Sequence, residues 1–219
     1  MRITATPRPR SSCPGKRLGK SLRLTTRGMS LIELVVVLTL LVALMAMAAP
    51  NVMVWVRNTE IRNVASSVQA GLQRARAEAM RRNELVRFSL VDLGASTVMS
   101  NACTVTDDGS SWVVSLDNPD RQCGQGVSDT TAPRILDLNA SGTGSKVSVL
   151  GTAADGNAAS QVIFNGFGRV VGANALSVID VDKEAAGDDY RALRIVLGPG
   201  GTVRMCEPKV SSKSDPRAC

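Results

Sequence analysis

The sequence predicts an α+β protein in which one long N-terminal helix packs on a mostly antiparallel β-sheet domain. Three observations predict it. Residues 31–49 form an apolar run interrupted only by Glu33 and Thr39. From Ile61 to Ala79 apolar residues recur at three- and four-residue steps, and from Glu84 onward short β-branched or alternating runs are separated by Gly, Ser, Asn and Asp clusters. A chain of 219 residues has room for one membrane-embedded helix and one soluble domain of ordinary size.

As a helix the apolar run 31–49 spans ~28 Å, close to the ~30 Å hydrocarbon core of a bilayer. The formal charge of +7 and pI near 9.6 first suggest a nucleic-acid or membrane partner. Residues 1–28, however, hold eight of the 26 Lys and Arg and no Asp or Glu, leaving 18 basic against 19 acidic residues, a net of −1. Whole-chain charge therefore gives no support for DNA binding. A basic flank before a first apolar segment instead predicts a cytoplasmic N-terminus and an outward C-terminal side. The alternative is an ordinary secretory signal peptide, since Ala46-Met47-Ala48 offers a small-residue cleavage pattern before Pro50. Glu33 inside the apolar region and the near absence of a polar stretch before the Ala motif count against it.

Pro50 removes a backbone donor and should bend the helix, yet Val52, Met53, Val54, Trp55 and Val56 resume the apolar pattern at once. Beyond Arg57 the helix turns amphipathic. Ile61, Val64, Ala65, Val68, Leu72, Ala75 and Ala79 make one stripe, with Arg62, Ser66, Gln69, Gln73 and Arg76 opposite. Strands are expected at 85–91, 111–116, 134–138, 146–150, 161–164, 169–171, 176–179, 190–197 and 203–206. Asn165-Gly166-Phe167-Gly168 and Gly198-Pro199-Gly200-Gly201 read as hairpin turns.

The most informative residues stand at the mouth of the apolar run. An acidic side chain at a bilayer centre costs roughly 2.5 to 3.5 kcal/mol on insertion scales, so Glu33 needs a reason. Cutting the Gly28-Met29 bond would leave a cationic α-amine about one helical turn from its carboxylate, a pair that can form within a chain or between neighbouring chains. A Gly, a new N-terminal residue, Glu at the fifth mature position and an unbroken aliphatic run resemble the class III signal of type IV pilins and type II secretion pseudopilins. Met29 stands where that family usually carries Phe. Within the superfamily the arrangement resembles the minor pseudopilins grouped as type II secretion system protein H and FimT, over Gly28 to about Arg87 and again over the segment from Gly201 to Cys219.

The resemblance implies a type IV pilin-like fold and a division into a basic leader (1–28), a transmembrane and assembly helix (29–56), its amphipathic continuation (57–83) and a periplasmic β-rich domain (84–219). It implies cleavage between Gly28 and Met29 by prepilin peptidase, N-methylation of Met29, and assembly through Glu33 and the bend at Pro50. The expected location is the inner membrane, single-pass, with incorporation into a pseudopilus or pilus. The expected partners are membrane lipid and other pseudopilins or pilins, and the expected role is to help initiate or cap the filament of a type II secretion system or type IV pilus.

Cys13 lies in the leader, while Cys103, Cys123, Cys206 and Cys219 would lie outside the inner membrane, where disulfides persist. Four cysteines allow three connectivities, and free buried thiols are the alternative. Locality and the resemblance favour Cys103 with Cys123 and Cys206 with Cys219.

The chain has no histidine, which removes a Ser-His-Asp triad, a Cys-His pair and a His-Glu-x-x-His metal site together. No catalytic, cofactor or metal residue is assigned. Asp180, Asp182, Glu184, Asp188 and Asp189 form an acidic cluster, but an EF-hand register would place Ala185 and Arg191 where Gly and Glu are required, so a solvated loop is the reading. DNA is the alternative partner. Seven arginines between Arg57 and Arg87 face three glutamates, and the tail carries Arg204, Lys209, Lys213 and Arg217. Some FimT members bind DNA through a Gly-Arg-x-Arg tail motif. Here the stretch is Gly201-Thr202-Val203-Arg204, with Thr in place of the first Arg, which weakens that reading.

Overall fold

The computed structural model describes residues 29–141, 147–183, 190–212 and 214–219. The chain divides into two units, Met1–Ala46 and Met47–Cys219, and helix α1 (Leu31–Arg82) carries the backbone from one into the other.

In the first unit every described large apolar side chain is exposed, from Leu31 at 81% to Leu41 at 46%. Thr39 donates its hydroxyl to the Val36 carbonyl at 2.9 Å, so the second polar side chain of the run is satisfied inside its own helix. By length and composition no single helix among the described residues crosses a membrane; the segments Leu31–Met47 and Val52–Arg82 meet that test only as a pair.

In the second unit the helix buries the stripe Ile61, Val64, Ala65, Val68, Leu72, Ala75 and Ala79. Burial of a large aliphatic side chain stabilises by about 1.5–3 kcal/mol, so packing holds this segment more than helix propensity does. The helix stops at Arg82 because Asn83 turns into the left-handed region, φ 53°, which Asn tolerates better than most residues.

Among the described residues ten strands follow, and all their pairings are antiparallel. One sheet contains β1 (Val86–Asp92), β2 (Thr104–Val105), β3 (Ser111–Ser115), β4 (Ile135–Asn139), β6 (Gln161–Phe164) and β7 (Val170–Val171), in the order β4-β3-β1-β6-β7 with β2 added beside β1. The other has the order β10-β9-β8-β5, from β5 (Val147–Ala153), β8 (Leu176–Lys183), β9 (Leu193–Leu197) and β10 (Val203–Cys206). The helix stripe shares one core with both sheets, including Phe88, Trp112 and Phe164 from the first and Ile179, Ile195 and Leu197 from the second. Trp112 comes close enough that a Cβ on Gly71 would lie 2.8 Å from its ring, and its indole N–H donates to Ser67 Oγ at 3.0 Å. Gly71 is thus the helix position that admits the tryptophan.

The second face of the first sheet is also covered. Val91, Val113 and Ile135 pack with Leu93, Cys103 and Cys123 in a smaller core beneath the segment 93–134. That is why all five residues of β3 are buried where a half-exposed strand would alternate.

Two features depart from the sequence reading. Arg76, placed on the solvent side, is half-buried and donates from Nε to the Gly168 carbonyl at 3.2 Å and from Nη2 to the Gly200 carbonyl at 3.5 Å. Asp180 and Asp182, read as loop, lie inside β8, which runs on to Lys183. Asp180 can sit there because Arg194, its register partner on β9, meets it with two bonds of 2.7 and 2.9 Å. Residues 184–189, with the rest of the acidic cluster, lie outside the described residues.

Candidate assembly site

The helix begins at the residues that carry the sequence signal. Leu34 N–H bonds the Ser30 carbonyl at 3.1 Å, closing the first turn, and Glu33 is the acidic residue of that turn. There the partial positive charge of the helix N-terminus favours a carboxylate. Ser30 before the helix and Glu33 three residues on have the spacing of a capping box, a signal that reading Glu33 only as a membrane charge overlooks. Met29 is 72% exposed beside them. Gly28 lies outside the described residues, and Pro50 lies within α1 at a position where only the backbone is described.

What surrounds Glu33 is apolar and uncovered within its unit. Leu31, Ile32, Leu34, Val35, Val36 and Val37 are between 47% and 81% exposed. A contiguous apolar surface of this kind marks a membrane or protein contact.

The cysteines pair as Cys103–Cys123 and Cys206–Cys219. The second bond closes the tail onto β10. Glu207 N–H donates to the Arg217 carbonyl at 2.7 Å, Ala218 bridges Glu207 in parallel, and Arg204 Nη2 donates to the Cys219 carbonyl at 3.0 Å. Arg217 lies 2.7 Å from Asp215 and 3.8 Å from Glu207. Its hydrogen bond holds the Asp215 carboxyl down at about 2. Lys209 donates to the Tyr190 carbonyl at 3.1 Å, and Lys213 lies outside the described residues. The described tail cations are therefore engaged by their own chain.

Apart from Arg62, the arginines of the helix are likewise engaged. Arg81 and Arg82 donate to Glu78 Oε2 at 2.6–3.1 Å and Arg74 approaches Oε1 at 3.3 Å, while Glu78 itself is only 5% exposed. Burial pushes the Glu78 carboxyl up, but the bonds from Arg81 and Arg82 and the charges of Arg81 and Arg74 outweigh it and hold it below its ordinary value. Arg57 pairs with Glu60 at 2.7 Å.

Residues 64–201 match the family described as Type II transport protein GspH. The match covers more than half of the chain, which belongs to this family: it is a type IV pilin-like minor pseudopilin. Among solved structures, the type IV minor pilin FimU of Pseudomonas aeruginosa is similar at 13% identity over 70% of this chain and 96% of that one, with a TM-score of 0.44. A second crystal form of FimU gives 14% identity, 69% and 99% coverage and a TM-score of 0.42. Comparison with curated proteins returns no match. The family match starts at Val64, so Met29, Glu33 and Pro50 stand on their own chemistry.

Proposed function

We propose that the chain is a minor pseudopilin that inserts in the inner membrane through residues 29–56 and assembles with other pilin-like subunits. Prepilin peptidase cuts between Gly28 and Met29, Met29 is then N-methylated, and the periplasmic domain helps initiate or cap a type II secretion pseudopilus or type IV pilus. The observation that carries this reading is the division of α1: its stretch from Leu31 is exposed and apolar with Glu33 in the first turn, and its stretch from Ile61 is buried on the β domain.

Glu33 is the residue on which assembly turns. Once Met29 is the N-terminus, the carboxylate of one subunit reaches the amine of a neighbour when helices bundle, and two charges are neutralised together. Glu33→Leu should leave membrane insertion intact and reduce crosslinking to partner pseudopilins at equal membrane abundance. Unchanged crosslinking contradicts the charge-pair mechanism. DNA binding by the tail finds less support, because Arg204, Lys209 and Arg217 have partners within the chain.

A further inference from the structure

Within the second unit, between α1 and the ends of β9 and β10, lies an open cleft of about 960 Å³. Its apolar lining includes Trp55, Leu193 and Met205. The disulfide-closed tail supplies one wall, through Glu207, Pro216 and Arg217, and the Cys206–Cys219 bond with the 2.7 Å bond from Glu207 N–H to Arg217 O holds that wall in place. Asn58 Oδ1 accepts the Arg191 backbone N–H at 2.9 Å and ties the helix to the segment entering β9. The cleft is therefore built before anything enters it, which lowers the ordering cost of binding.

Its charges define the occupant. Arg217 is neutralised by Asp215 at 2.7 Å, whereas the side chains of Arg62 and Arg191 make no hydrogen bond or ion pair among the described residues. Counted with Asp215, the three arginines of the lining face two carboxylates, an excess of one positive charge. That excess suits a ligand bringing one or two carboxylates. It does not suit nucleic acid, which lays down one negative charge per ~1.7 Å of duplex and would set several against Glu207. Trp55 is 68% exposed, while the domain's other tryptophan, Trp112, is 6% exposed. An open tryptophan beside methionine and unpaired arginine has the composition of a protein interface core and its hot spots.

We propose that the cleft docks a carboxylate-bearing segment of a different pilin-like subunit, its Asp or Glu held by Arg62 and Arg191 and an adjoining apolar side chain on Trp55. This rests on the assembly with other pilin-like subunits proposed above, and it makes the closed tail part of the docking surface.

The test is site-specific photocrosslinking of the full chain in its native host, with p-benzoylphenylalanine in place of Thr59, which lines the cleft, or of Leu38, which is 51% exposed in the first unit and reports helix assembly. The proposal expects the Thr59 probe to join a peptide of another pilin-like subunit that contains Asp or Glu. Arg62→Glu or Arg191→Glu should each reduce that adduct about tenfold at equal membrane abundance, with Arg62→Lys close to wild type. Arginine in place of the partner's carboxylate should restore the adduct with Arg62→Glu. An adduct that neither Glu variant changes overturns the charge recognition. An adduct with lipid, with DNA or with a second copy of this chain overturns the stated partner. No adduct at position 59, with crosslinking at position 38 retained, overturns the cleft as a docking site and leaves the assembly reading standing. Loss of crosslinking at both positions overturns both.

Discussion

Arg76 on α1 and Gly168 in the β6–β7 turn are joined by a 3.2 Å hydrogen bond from the guanidinium Nε to the glycine carbonyl. The same guanidinium reaches the Gly200 carbonyl in the β9–β10 turn, and Val170 N–H bonds Pro199 O at 3.2 Å. One helix side chain thus ties together the turns of two different sheets. The turns approach so closely that a Cβ on Gly201, φ 77°, would collide with the Gly168 carbonyl.

Removing that tie should loosen both turns. Arg76→Ala is expected to destabilise the domain by about 1–3 kcal/mol, the range for part-buried hydrogen bonds to a charged donor. The denaturant midpoint of the full chain checks this, and amide exchange should rise in both turns together.

Gly71 gives a second stability test. A helix interior ordinarily gains up to ~1 kcal/mol from Gly→Ala. Here the added methyl meets Trp112 at 2.8 Å and Phe88 at 2.9 Å, a clash worth about 1–3 kcal/mol, so Gly71→Ala should lower the thermal midpoint.

Acid should weaken the domain through Glu78. Its folded-state pKa is depressed, so its stabilisation is present above the ordinary value near 4.5 and is lost as pH falls through the lower folded value. Glu78→Gln should flatten the fall in unfolding free energy below about pH 4.5, measured by denaturant titrations at a series of acidic pH values. An unchanged acid limb would assign the loss to other carboxylates.

The fold was largely legible because its two periodicities are strong. The stripe from Ile61 to Ala79 is buried throughout, and β6 and β10 occupy the segments that the runs 161–164 and 203–206 predict. What the sequence hid are features set by partners far along the chain. β2 has two residues and exists because Val91 and Asp92 on β1 offer a free edge. Asp180 and Asp182 look like loop until Arg194 is placed beside Asp180. Arg76 and Glu78 look like surface charges until the turns and Arg82 close over them. In the candidate assembly site, Glu33 stands out because a carboxylate in an aliphatic run has few innocent explanations.

Each disulfide closes its own loop, of separation 20 and 13 respectively. On a chain-entropy view each contributes about 3 kcal/mol. Cys206→Ser with Cys219→Ser should free the segment after Cys206, seen as loss of amide protection there with the small core around Cys103 and Cys123 retained. Loss of protection in both regions would contradict their independence.

The central claim is that Met29 becomes the N-terminus of a subunit assembled through Glu33, and N-terminal sequencing of the membrane-extracted mature protein tests it most directly. In cells with prepilin peptidase the first residue should be N-methylated Met29, and Gly28→Val should leave the leader attached. A mature chain beginning at Ala49 or Pro50, in the same cells, would contradict the account and assign the protein to ordinary secretion.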